Sequence, residues 1–169
     1  MAQVKFKGEP KNLVGPTLKV GDAAPDFECV QPPLDVKKLA DTPKKARLFS
    51  VVPSLDTPVC SKQTKKFEES IAGLKDSVAC YTVSLDLPFA QKRFCTAENV
   101  ANMSTLSDVR NHSFGKNWGV LLEGLPISLL TRAIFVVNKD NKITYVEYVA
   151  EVTSEPNYDA ALAALKAAQ

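Results

Sequence analysis

Residues 47–74 read RLFSVVPSLDTPVCSKQTKKFEESIAGL, and this stretch decides the fold. Its opening, residues 47–52, is a short β-branched and aromatic run of the kind found in buried strands, and Pro53 ends it. From Val59 onward, apolar or compact side chains recur at Gln63, Phe67, Ile71 and Leu74, while Lys62, Lys65, Lys66, Glu68 and Glu69 point elsewhere. That spacing predicts an amphipathic helix packed by Phe67 and Ile71. The helix starts near Thr57-Pro58, because a threonine can cap the first amides and proline suits the first turn. The unit is a buried strand, a short loop and a helix whose first turn holds Cys60.

Working outward, residues 77–85 (SVACYTVSL) predict a second core strand containing Cys80, residues 88–95 a short helix, and residues 103–106 a short strand. A helix broken at Gly115 is expected over 109–118. Two strands, 131–137 and 142–149, flank the polar turn Asn138-Lys139-Asp140-Asn141, a hairpin signal. Tyr158, Leu162 and Leu165 stand at helical spacing among alanines and predict a closing helix. On the other side, residues 4–7, a turn at Gly8-Glu9-Pro10 and Leu13-Val14 predict an N-terminal β-hairpin, and a loop over 21–25 leads into a strand at 27–30. This order is α/β. It fits a thioredoxin-like fold, a central mixed sheet flanked by helices, formed by residues 1–169 as a single domain.

The chain has 169 residues, 45% apolar and 24% charged, which excludes disorder and fibrous repeats. Twenty-one Lys and Arg against 19 Asp and Glu give a net charge of +2, too balanced for a dedicated nucleic-acid binder. No apolar run approaches the roughly 20 residues that span a bilayer, and no amphipathic basic helix suggests membrane binding. The first residues, MAQVKFKGEP, lack an apolar signal-peptide core. A cytoplasmic, thiol-reducing compartment is therefore expected, without permanent disulfides.

Cys29, Cys60, Cys80 and Cys95 form no CxxC pair, and His112 is the single histidine, so neither a zinc-finger layout nor a thioredoxin-type dithiol is present. No metal site is expected, and without a GxGxxG no flavin or nicotinamide site either. Cys60 stands out by position. Unpaired amides at a helix start carry partial positive charge and favour thiolate over thiol, which makes it a candidate nucleophile. A small buried hydrophobe is the other reading, and position alone leaves both open. Cys80 reads as a core thiol, Cys29 as incidental, and Trp118 as core or pocket rim.

Two motifs tilt the balance. Pro53, Thr57 and Cys60 form PxxxTxxC, which resembles the active-site motif of the peroxiredoxins. Residues 84–95, SLDLPFAQKRFC, resemble the resolving-cysteine segment of one subgroup of that family, the bacterial thiol peroxidases. The resemblance continues through Thr105-Leu106-Ser107, Arg110-Asn111, Leu130-Thr131-Arg132-Ala133 and Glu155-Pro156-Asn157-Tyr158, covering nearly the whole chain. The departures are Pro58 in place of a small residue, Pro126-Ile127-Ser128, and a shortened segment around Pro32-Pro33.

The resemblance implies a thiol-dependent peroxidase acting on hydrogen peroxide and alkyl hydroperoxides in antioxidant defence, in a bacterial cytoplasm. Cys60 would be the peroxidatic cysteine, forming a sulfenic acid, and Cys95 the resolving cysteine, condensing with it to a disulfide. Thr57 would hydrogen-bond thiolate and peroxide, Arg132 would complete the pocket, and Pro53 would shield the sulfur. Phe89 and Phe94 are expected to cover Cys95 in the reduced form. Thioredoxin is the implied reductant and a homodimer the implied assembly. The alternative is a peroxide-sensing redox switch acting through partner binding. A disulfide needs Cα atoms within about 7 Å, so cysteines on two helices imply local unwinding.

Overall fold

The computed structural model describes residues 2–169. The buried strand and the amphipathic helix on either side of Pro53 are β5 (Ala46–Val51) and α1 (Pro58–Ser70). Every residue of β5 is buried, because it is an interior strand, third of the seven in the sheet, with both faces covered. It pairs in parallel with β6 (Val78–Ser84), which pairs in parallel with β7 (Met103–Ser107). On its other side runs the antiparallel hairpin β9 (Ala133–Val137) and β10 (Ile143–Tyr148), joined by the polar turn at Asn138. The far edge is the hairpin β3 (Cys29–Gln31) and β4 (Asp35–Lys37), the latter not anticipated from the sequence. The sheet is mixed, as expected.

Alternation along β5 divides the core. Leu48 faces a layer packed by Phe67 and Ile71 from the α1 region, and by Ala161 and Leu165 of α4 (Tyr158–Ala167). Phe94 and Cys95 of α2 (Pro88–Ala97) pack against the same layer. Phe49 and Val51 face the opposite layer, where Phe27, Phe114, Trp118 and Phe135 form an aromatic cluster. Phe114 and Trp118 stack at 4.5 Å between ring centroids, and Trp118 meets Phe135 edge-on at 5.0 Å. Trp118 is thus core, not rim.

Two local expectations are corrected. The N-terminal hairpin exists as β1 (Gln3–Phe6) and β2 (Glu9–Val14), but it turns at Lys7-Gly8, both at positive φ, so Glu9 and Pro10 belong to the strand. β2 also pairs with β8 (Leu121–Leu122), making a small second sheet. Gly115 does not break a helix; it lies inside α3 (Ser113–Asn117). A Cβ there would come within 2.8 Å of a Leu130 methyl, so glycine serves close packing.

Candidate active site

The parallel order of β5, β6 and β7 brings the loops after these strands to one end of the sheet. The loop after β5 begins with buried Pro53 and turns at Thr57, whose extended backbone starts α1. Pro58 occupies the first helical position, where its missing N–H costs nothing. The first intrahelical bond is Ser61 N–H to the Thr57 carbonyl, so the amides of Val59 and Cys60 precede the ladder. Cys60 sits among those free donors, fully buried beside Val52 and Leu55. Thr57 does not cap: its hydroxyl donates to the Ser54 carbonyl at 2.8 Å. That bond fixes the turn and leaves the oxygen lone pairs as its only further capacity.

Arg132, immediately before β9, supplies the charge. Arg132 is 2% exposed, and every nitrogen of its guanidinium is used. Nε donates to the Val152 carbonyl at 2.8 Å, Nη1 to Gln63 Oε1 at 2.7 Å, and Nη2 meets Cys60 Sγ at 3.3 Å. Gln63 is fixed in turn by donating to Ser50 Oγ at 2.7 Å. Among the described residues no carboxylate pairs with Arg132. A buried cation without a carboxylate partner is costly unless an anion is available, and the sulfur is the group it faces. Gln63, read from spacing as a compact packing residue, is therefore the bracket that aims Arg132.

Beside this pair opens a cleft of about 420 Å³. Pro53, Thr57 and Arg132 line it together with Phe6, Ile127, Leu129 and Val152. The lining is mostly apolar around a cationic floor. Its outer wall, the Lys7-Gly8 turn, is held by Glu151, whose carboxylate accepts from both amides at 3.0 Å. These bonds and those from Thr153 hold the Glu151 carboxyl down at about 2.

Cys95 lies in the second half of α2 and is only partly buried. Burial, and then the negative charge of Glu68, push its thiol up to about 11, so in this state it stays protonated. Phe94 packs on the small cluster containing Cys60 and, like Cys95, on the α1-side layer. Phe89 does not cover Cys95, being 58% exposed. All four thiols are free. Cys80 is buried and pushed up to about 12 mainly by desolvation. Cys29 is raised well above its usual value by burial and by Asp108, 3.7 Å from its sulfur.

Two carboxylates have structural roles not assigned from the sequence, although Asp86 lies within the quoted segment 84–95. Glu68, assigned to the outer face of α1, is buried and accepts the amides of Ala101, Asn102 and Met103 at 2.7–2.9 Å. Its only signal is its place one residue after Phe67, on the edge of the buried stripe. Asp86 holds Ser54 and Leu55 from across the sheet end. Among the described residues no group of three His, Cys, Asp or Glu is placed to hold a metal ion. Among the described residues no helix is long and apolar enough to cross a membrane.

The family model of the redoxins matches residues 19–162, and a thiol peroxidase of Halalkalibacterium halodurans is 51% identical over 168 residues, 99% of each chain. This chain belongs to the redoxin family, among the thiol peroxidases. It is an oxidoreductase that reduces peroxide at the expense of thiols. A thiol peroxidase of Bacillus subtilis is 48% identical, covering 99% of this chain and 98% of its own. A crystal structure of a peroxiredoxin-like protein from Aquifex aeolicus, 44% identical, superposes with a TM-score of 0.93 over 100% of this chain and 98% of that one. A thiol peroxidase from Chromobacterium violaceum shares the fold at a TM-score of 0.84 and 22% identity, over 98% of this chain and 95% of that one. The comparisons do not favour the sensor reading.

Proposed function

We propose that Cys60 is the peroxidatic and Cys95 the resolving cysteine of this chain, acting within one domain over residues 1–169. The observation that carries the reading is Nη2 of Arg132 at 3.3 Å from Cys60 Sγ, in the first turn of α1, beside an apolar cleft. The thiolate of Cys60 attacks the terminal oxygen of a hydroperoxide; an S–O bond forms, the O–O bond breaks, and the leaving oxygen departs as alcohol, or as water from hydrogen peroxide, after taking a proton. Arg132 and the free amides of Val59 and Cys60 face the charge that develops in this step. Thr57, its own proton committed to Ser54, accepts from the hydroperoxide O–H, and Pro53 keeps water from the sulfur.

The sulfenic acid is then attacked by Cys95: an S–S bond forms, the S–O bond breaks, and water leaves. Cys60 begins one helix and Cys95 lies on another, so this step requires local unwinding. An external dithiol restores both cysteines, and thioredoxin is the donor that the resemblance to thiol peroxidases supports. The same resemblance supports a homodimer in a bacterial cytoplasm, serving antioxidant defence.

The test is one equivalent of a small organic hydroperoxide added to the reduced protein, alkylation of remaining thiols, and peptide mapping. A single intrachain bridge between Cys60 and Cys95 is expected. Four alkylated thiols with unspent peroxide would overturn the assignment.

A further inference from the structure

Asp86 lies in the crossover from β6 to α2, yet its carboxylate holds the loop on the neighbouring strand. Oδ2 accepts from the Leu55 amide at 2.8 Å and the Ser84 hydroxyl at 2.7 Å, and Oδ1 from the Ser54 hydroxyl at 2.8 Å. The Asp86 carbonyl accepts from the Ser107 hydroxyl at 2.6 Å, which anchors the residue to the end of β7. Ser84 Oγ also accepts from Nε2 of Gln91 at 3.1 Å, and that amide reaches the Leu106 carbonyl at 3.1 Å. Gln91 is fully buried on α2, about one turn before Cys95. A continuous hydrogen-bond chain thus runs from Ser54 and Leu55, just before the Cys60 helix, through Asp86 and Ser84 to the Cys95 helix.

Apart from Pro88, Gln91 is the one fully buried side chain of α2 among the described residues. Its Oε1 has no partner, so Nε2 alone makes the polar attachment. These polar bonds seat the helix together with the apolar packing of Phe94 and Cys95. The Arg93–Asp56 ion pair, 3.7 Å long with both side chains over 70% exposed, adds a tie that solvent screens.

We propose that Asp86 is a positioning residue that makes the loop before Cys60 and the helix carrying Cys95 release as one unit. Hydrogen bonds that share Ser84 and Asp86 polarise one another, so loss of the Leu55 end weakens the hold on Gln91 and the reverse. One opening event then frees both segments, rather than two independent ones. The inference rests on the roles proposed for Cys60 and Cys95 but concerns a property of the reduced protein that is measured without peroxide.

The experiment is amide hydrogen exchange on reduced wild type, Asp86→Asn, Ser54→Ala and Gln91→Leu, followed by single-turnover oxidation. In Asp86→Asn an N–H group replaces one acceptor oxygen, and loss of a bond to a charged group shifts an opening equilibrium on the order of tenfold. Protection over residues 54–63 and 88–97 is expected to fall together by that factor, with residues 158–167 unchanged. Disulfide formation, a first-order step that needs the open state, accelerates by a similar factor, while the second-order peroxide step changes less than about twofold. A generally weakened fold would instead slow both steps. Ser54→Ala and Gln91→Leu, which remove opposite ends of the chain, should each loosen both segments, and they decide the matter if Asp86→Asn fails to fold. Loosening of 54–63 with wild-type protection over 88–97, or both rates falling together, overturns the proposal. A wild-type protein that forms no Cys60–Cys95 bridge overturns the cysteine assignment instead, and the exchange data still decide whether the segments open together.

Discussion

Replacing Arg132 by Met removes the cation 3.3 Å from Cys60 Sγ while keeping much of the buried volume. Full charges at that distance interact by about 5 kcal/mol at an effective dielectric of 20. The net value after desolvation is that of a hydrogen bond to a charged group, about 1.5–3 kcal/mol, or roughly 10- to 150-fold in rate. The same change leaves the Val152 carbonyl and Gln63 Oε1 without their donor, so about 2–4 kcal/mol of stability goes with it. Urea unfolding measures that loss, and stopped-flow oxidation by a hydroperoxide at neutral pH measures the rate on the folded fraction. Arg132→Lys keeps the charge but cannot span three acceptors with one fork, and is expected to fall between wild type and Arg132→Met. A folded Arg132→Met protein that is oxidised within twofold of the wild-type rate would refute the argument.

Cys80 is expected to make stability fall with alkaline pH. Its folded thiol is pushed up to about 12 from the ordinary thiol value of 9.0, so between these values the folded state holds a proton the unfolded state has lost. The slope is about −1.4 kcal/mol per pH unit for each such group. Denaturant midpoints of reduced wild type and Cys80→Ala from pH 8 to 10.5 should converge as pH rises, and parallel curves would contradict this. Glu68→Gln replaces a carboxylate that gathers three backbone amides, and should cost about 3 kcal/mol in urea unfolding while raising the alkylation rate of Cys95. Ile127→Asp puts a charge on the apolar lip of the cleft, at a side chain that is 65% exposed. Oxidation by an alkyl hydroperoxide should slow by about tenfold, and oxidation by hydrogen peroxide far less; equal slowing would mean that the cleft does not hold the alkyl group.

What the sequence made legible was what periodicity and punctuation encode. Residues 47–52 read as a buried strand because both faces of β5 are covered, and Phe67 and Ile71 marked the packed side of α1 because burial follows the helical repeat. The small strand β8 was invisible, since Leu121 and Leu122 carry no pattern of their own and pair only because β2 lies beside them. Cys60, Arg132, Thr57 and Pro53 were recognisable from motif resemblance; the last three line one cleft, and Cys60 is buried against Arg132 beside it. Their bonding was not. Thr57 had the side chain of a cap, but its hydroxyl is oriented by donating to the Ser54 carbonyl and its oxygen accepts from no amide of the first turn. Glu68 looked like a solvated acid because nothing local announces that residues 101–103 will present three amides to it. Phe89 looked like a lid because it is apolar, yet it projects outward from the first turn of α2. Long-range polar partners are set by tertiary geometry, which local pattern does not contain.

The parallel run of β5, β6 and β7 has a meaning for protein engineering. Because successive parallel strands deliver their crossovers to the same rim, the Cys60 loop and the next crossover are neighbours by topology, whatever helices hang between them. A second thiol could therefore be transplanted along the rim, from one crossover to another, without rebuilding the socket made by Arg132 and Gln63. The scaffold separates the part that must not change from the part that can be exchanged.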